Sequence, residues 1–249
     1  MLIQVTDFYR FWKLSKIDAL VWLITFLTVL FISIDSGLFV GLLMSVITII
    51  YLGFKPYTCL LGSVPHTDIY LDITRYKMAN ELEGIKIFHY RGGINFASRN
   101  TFKSELCRLV GINPQQELIM RRKLAKIEAA EELSGSNVFI QKLSNKVEKL
   151  KKKTKTDLKC LIVDFSAVSY IDPSGVSMIK LLGEDFHRID VPVYVAGCCG
   201  PVYEMMKKCN VVNDKKNLIR IFPTIHDAVQ SASTIFDVNS YSTISVITK

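Results

Sequence analysis

Between residues 19 and 54 the chain carries a single charge, Asp35, in thirty-six consecutive positions. A run this apolar has to leave water, either in lipid or beneath other helices. As one helix it would extend about 54 Å at about 1.5 Å per residue, well beyond a hydrocarbon core of about 30 Å. Residues 19–34 (ALVWLITFLTVLFISI) and 38–54 (LFVGLLMSVITIIYLGF) flank Asp35-Ser36-Gly37, three residue types that favour turns. The pattern predicts a hairpin of two helices, 16 and 17 residues long. Each covers about 24–26 Å, which is short for a span, and short spans fit better inside a helical bundle than alone in lipid.

The flanking charges orient the hairpin. Arg10, Lys13 and Lys16 precede it, Lys55 follows it, and the turn has neither Lys nor Arg. Positive residues stay on the cytoplasmic side, so both ends are expected there, with everything after Lys55. A cleaved signal peptide explains the basic start and first apolar run, but not the second run, and no small-residue cleavage site follows residue 34. A buried soluble hairpin is the other alternative, and the near-absence of charge argues against it. Residues 1–18 alternate apolar and aromatic side chains with Arg10 and Lys13, as an interfacial segment does.

Six cysteines are scattered without a CxxC pair, and none of the four histidines stands at a zinc-ligand spacing from them. They read as small buried hydrophobes in a reducing compartment, in agreement with the charge reading. Cys198-Cys199 sits between Gly197 and Gly200, where a strand-to-helix turn explains the glycines without redox chemistry.

The remainder reads as a soluble domain. Residues 55–84, punctuated by Pro56, Gly62 and Pro65, look like a connector. Then IKIFHYR (85–91), Gly92-Gly93 and INFAS (94–98) predict a β-hairpin, followed by an amphipathic helix over 99–111 stopped by Gly111. Residues 113–157 hold 11 Lys/Arg against 6 Asp/Glu. They read as an insertion that starts with a helix at about 115–133 and ends in the basic run Lys149, Lys151, Lys152, Lys153 and Lys155, a candidate contact for anionic lipid. After it, strands at 159–165, 191–197 and 219–222 alternate with helices at 173–189, 201–211 and 224–233. That alternation predicts parallel βα units, with ligand contacts at the carboxyl ends of the strands. The tail, 236–249, is assigned no role.

The chain has no P-loop, no GxGxxG after a strand, no GxSxG elbow and no HExxH. No enzyme activity, cofactor, metal or nucleic-acid partner is expected. One short motif stands at a strand-to-helix junction, Asp172-Pro173-Ser174-Gly175. Asp172 or Ser174 can cap the helix and Pro173 suits its first turn. The same residues would also place a hydroxyl where backbone N–H groups and the helix dipole favour a phosphate. Asp172, Ser174 and Gly175 are therefore candidate regulatory or phosphate-interacting residues.

The run LIVDFSAVSYIDPSGVSMIKLL (161–182) resembles the signature of STAS domains, the fold of bacterial anti-anti-sigma factors and of the cytoplasmic tails of SulP anion transporters. DALVWLITFLTVLFISIDSGLFVGLL (18–43) resembles the last two transmembrane helices of those transporters, and IKIFHYRGGINFASRNTFKSEL (85–106) the start of their STAS domain. The three motifs stand in the family's order, and the resemblance is to its animal, prestin- and pendrin-like branch. It implies an α/β STAS domain over 85–235, a mixed sheet flanked by helices, with a variable insertion at 113–157 and a transmembrane helical hairpin at 19–54 before it. It further implies a homodimeric plasma-membrane transporter of sulfate, chloride, bicarbonate or oxalate, acting as exchanger or channel. In that family the anion sits between two half-helices upstream of the last two spans, so no anion-binding residue is expected in this chain, which is expected to be a C-terminal portion. Ser174 aligns with the serine phosphorylated in bacterial anti-anti-sigma factors, although Pro173 replaces their usual small residue. Two alternatives stand beside the transporter reading: a stand-alone, membrane-tethered STAS module, and a nucleotide-binding switch at Asp172 and Ser174.

Overall fold

A computed structural model describes residues 12–13, 15–54, 56–133, 158–212 and 218–234. They divide into two compact units at Pro56–Tyr57.

The first unit is a helical hairpin, α1 (Lys16–Phe31) and α2 (Ile34–Phe54). Ser15 caps α1, its hydroxyl accepting the Asp18 N–H at 3.3 Å. Inside the helices Thr25, Thr28 and Thr48 each donate their hydroxyl to the carbonyl four residues back, at 2.8 Å, so these polar groups are satisfied without water. The turn falls at Ile32–Ser33, not at Asp35-Ser36-Gly37, which lies in the first turn of α2. Ser33 is what shifts it, because its hydroxyl accepts the Ser36 N–H at 3.2 Å and starts the helix there. Gly37 serves packing instead, since a Cβ there would collide with Val29, and one at Gly41 would come within 3.1 Å of Thr25. Small residues of this kind let two apolar helices approach closely. Residues Ile34–Gly53, with a mean hydropathy of 2.1, are long and apolar enough to cross a membrane. At 16 residues α1 is shorter.

The second unit is built on one mixed sheet. Its strands are β1 (Tyr57–Ser63), β2 (Tyr70–Asp72), β3 (Ile85–Ile94), β4 (Cys160–Asp164), β5 (Val168–Ile171), β6 (Val193–Ala196) and β7 (Ile219–Phe222). The order is β2-β1-β3-β4-β6-β7, with β5 pairing the far end of β3. β1 runs antiparallel to β2 and β3, while β3, β4, β6 and β7 are mutually parallel. The helices are α3 (Arg99–Val110), α4 (Pro114–Leu133), α5 (Pro173–His187), α6 (Gly200–Lys208) and α7 (225–234).

Alternation along the strands gives the sheet two apolar faces. On one, Phe88, Tyr90, Leu161 and Val163 meet Phe102 and Leu106 of α3, Ile179 and Phe186 of α5, and Met206 of α6. Phe102 packs edge-on against Phe88 and Tyr90, with ring centroids 5.5 and 4.8 Å apart. On the other, Ile87, Ile162 and Tyr194 meet Ala228, Val229 and Ala232 of α7. Gly111 ends α3 in a left-handed conformation (φ 78°), as its position predicts.

Three stretches differ from the sequence expectations. The hairpin over 85–98 is instead the single strand β3, running through Gly92-Gly93. Gly92, at φ 146°, marks a register shift through which the strand passes from β4 to β5 as its partner. β3's antiparallel neighbour is β1, which with β2 lies in the stretch read as a connector. β5 was not foreseen, because its VSYI alternates weakly and sits beside the helix signal of the following residues. The helix expected at 115–133 is α4; the basic run Lys149–Lys155 lies outside the described residues.

Candidate functional site

The carboxyl ends of β3 and β5 hold the polar groups that the sequence singled out. Asp172 follows β5 and caps α5. One of its oxygens accepts the Gly175 N–H at 2.6 Å and the other the Phe96 N–H at 2.9 Å. It thus ties the start of the helix to the loop after β3. Pro173 takes the first position of α5. Gly175 is buried where a Cβ would stand 2.5 Å from the Ile94 carbonyl oxygen, so the helix enters against β3 without room for a side chain. Ser174 is half-buried, and its hydroxyl accepts from Arg99 Nη1 at 2.9 Å. The Arg99 guanidinium stacks over Phe96 at 4.9 Å, and its buried Nε has no hydrogen-bond partner. The sequence named Asp172, Ser174 and Gly175 but not Arg99. Its place one residue into a predicted amphipathic helix gave no sign that it would turn back onto the motif.

The Asp172→Ala variant should lose both hydrogen bonds and cost about 1–2 kcal/mol. A urea titration of the solubilised protein measures this, and an unchanged midpoint would show that neither bond is held in solution.

A second polar group lies on the face of α7. Asp164, 2% exposed, accepts from the Ser166 N–H at 2.9 Å and the Ser166 hydroxyl at 3.0 Å, and its Oδ2 is 2.6 Å from His89 Nδ1. Toward the sheet edge the Tyr57 phenol donates to Asp72 at 2.6 Å, and the hydroxyl and N–H of Thr74 donate to the other Asp72 oxygen at 2.6 and 2.8 Å. Burial works to raise the Asp72 carboxyl, but Thr74, Tyr57 and Arg75 outweigh it and hold the group below the ordinary carboxylate range. The folded state therefore binds protons less readily than the unfolded chain. Asp72 stabilises the fold above the ordinary carboxylate value of about 4, and this contribution is lost as pH falls through the depressed folded value. The Asp72→Asn protein should accordingly lose less stability than the parent between about pH 5 and pH 2, as acid denaturation curves will show.

The cysteines are free. Burial, with Cys199 and Asp164 nearby, pushes the Cys198 thiol up to about 12, and burial alone does the same for Cys160. Both stay protonated, poor nucleophiles at neutral pH. Among the described residues no cluster of His, Cys, Asp and Glu could hold a metal ion. A groove of about 1040 Å³, lined by Gly84, Lys86, Gly111, Glu117 and Leu158, lies at the amino ends of β3 and β4, the other end of the strands from Ser174.

The sequence that folds into this architecture, a mixed sheet with helices on both faces and a capped Asp-Pro-Ser-Gly junction beyond β5, matches the STAS domain family over residues 76–228, more than half of the chain. The chain belongs to the STAS-domain family. Its likeness extends through the hairpin to the animal SulP-type anion transporters of solute carrier family 26. Prestin of Tursiops truncatus is 29% identical over 260 aligned residues, covering 92% of this chain and 35% of the relative. The chloride anion exchanger of Rattus norvegicus is 29% identical, at 92% and 35% coverage, and solute carrier family 26 member 6 of Homo sapiens is 26% identical, at 93% and 38%. Among solved structures, SLC26A9 superposes with a TM-score of 0.71 at 28% identity, covering 96% of this chain and 33% of that one. A murine Slc26a9 anion transporter in the inward-facing state gives 0.65 at 26% identity, with 93% and 31% coverage. The chain spans about a third of the length of the relatives it matches.

Proposed function

We propose that the chain is the C-terminal part of a SulP-type secondary anion transporter of the plasma membrane. In this reading α1 and α2 complete the membrane domain with both ends on the cytoplasmic side. The STAS domain is cytoplasmic and acts in dimerisation, trafficking and regulation. The transported ion is of the sulfate, chloride, bicarbonate or oxalate class, and its binding site belongs to other spans. The observation that carries the reading is the likeness to SLC26A9, which covers 96% of the chain at 28% identity and so takes in residues of both the hairpin and the STAS domain. A shared STAS fold alone would fit many unrelated proteins.

Two regulatory elements belong to the proposal. Lys149, Lys151, Lys152, Lys153 and Lys155 contact anionic lipid headgroups. Ser174 is the modification site, since Arg99 and the N-terminus of α5 would both stabilise a phosphate on it.

The test is the size of the native protein in a membrane fraction, by immunoblot with an antibody to residues 159–235. A band far above 28.2 kDa is expected. Anion flux should then need that longer protein, and vesicles holding residues 1–249 alone should show none. A sole band near 28 kDa would reject the transporter and favour a membrane-tethered STAS module.

A further inference from the structure

The edge of the sheet described above also carries two large aromatic side chains in the open. Phe96 is 70% exposed and Tyr170 56% exposed. They are neighbours: the Phe96 N–H bonds Asp172, two residues past Tyr170, and Gly93 lies against the Tyr170 backbone and Cβ. Arg99 stacks on the Phe96 ring, and Arg91, three residues before the end of β3, is exposed. Asp172, the acid beside them, has both oxygens occupied by backbone N–H groups. Large aromatics in water are costly to keep, and neither ring contributes to the cores of the domain.

The chain enters the domain on this same edge. Tyr57, the first residue of β1, pairs with Arg91, and only Lys55 and Pro56 separate it from Phe54, the last residue of α2. Of the two rings Tyr170 is amphipathic, the kind that settles at the headgroup level of a bilayer, and Phe96 beside it offers apolar surface to the same layer.

We infer that the Phe96–Tyr170 edge rests on the membrane surface, the rings entering the headgroup layer and the exposed Arg91 meeting lipid phosphates. The inference rests on the membrane reading of the hairpin and adds a lipid-contacting face to the STAS domain itself.

The test uses the full chain reconstituted in phosphatidylcholine–phosphatidylserine vesicles whose acyl chains are brominated near the headgroup. With Trp12→Phe and Trp22→Phe as background, a single reporter is introduced as Phe96→Trp, as Tyr170→Trp, or as the control Met78→Trp. Met78 is 71% exposed and lies two residues from Asn80, which pairs with Ser63 at the far end of β1, about 20 Å from Tyr57 at about 3.3 Å per residue. Bromine should quench the reporters at 96 and 170 about threefold more than the one at 78. Equal quenching at all three positions overturns the inference, and so does blue-shifted emission at 96 and 170 without quenching, which would mean that protein covers the edge. Native Trp22, kept in a Trp12→Phe chain, separates the two levels. If it is quenched while 96 and 170 are not, only the lipid-facing edge is lost. If it is not, the membrane reading of the hairpin falls too.

Discussion

Gly175→Val is expected to destabilise the STAS unit by about 3 kcal/mol, at the upper end for an overpacked site. The reason is that its neighbour cannot give way. An added Cβ would meet the carbonyl oxygen of Ile94 at 2.5 Å, with Ile94 Cγ2 at 2.9 Å and Ile171 Cγ1 at 3.0 Å behind it. That carbonyl accepts the Asp172 N–H at 3.1 Å, so moving it also breaks the junction that caps α5. Gly175→Ala should lose less, because it adds the Cβ alone and not the two further methyl groups of valine. Urea denaturation of the solubilised protein, with the folded fraction counted by pulse proteolysis, reads the difference as a shift in midpoint. A midpoint within error of the parent would show that α5 does not enter the sheet against Ile94.

Asp164→Ala should be comparably damaging, at about 3 kcal/mol. Asp164 sits at the end of the central strand β4, nearly sealed from water, and supports three polar groups at once. Removing it leaves the Ser166 N–H and the His89 ring without the acceptor they face, and such groups lose their solvation with nothing in return. Asp164→Asn keeps an oxygen for the Ser166 N–H and should recover roughly half of the loss. If alanine and asparagine prove equally mild, the network contributes little and water reaches the site.

The fold class was legible because it rests on long, strong patterns. Residues 159–165, 173–189 and 191–197 show a buried strand, an amphipathic helix and a buried strand in succession, and β4, α5 and β6 stand there. The capped junction at Asp172 was legible for the same reason, since its chemistry is local. What the sequence hid was non-local. Tyr57–Ser63 gains its place as a strand only by pairing with β3 and β2, and nothing in YTCLLGS announces those partners. Gly92-Gly93 is ordinary hairpin chemistry, yet here it makes a bulge, because β5 offers β3 a new neighbour just where the pairing with β4 ends. Asp35-Ser36-Gly37 misled in a similar way. Gly37 is required by the approach of Val29 from the other helix, which a linear reading cannot see. Arg99 and Asp164 join their sites through partners about 75 residues away.

The described residues on either side of segment 134–157 are each tied to the body of the domain. On one side Arg121 of α4 holds Asp190 at 2.9 Å and the Ile189 carbonyl at 3.1 Å. On the other, the N–H groups of Lys159 and Cys160 both reach the Gly84 carbonyl, at 2.7 and 3.0 Å. Joining two fixed points by a longer chain costs only the logarithm of its length, about 0.6 kcal/mol for each doubling. Residues added between these two anchors would therefore cost the fold little. New recognition sequences can be grafted there without renegotiating the fold that carries them.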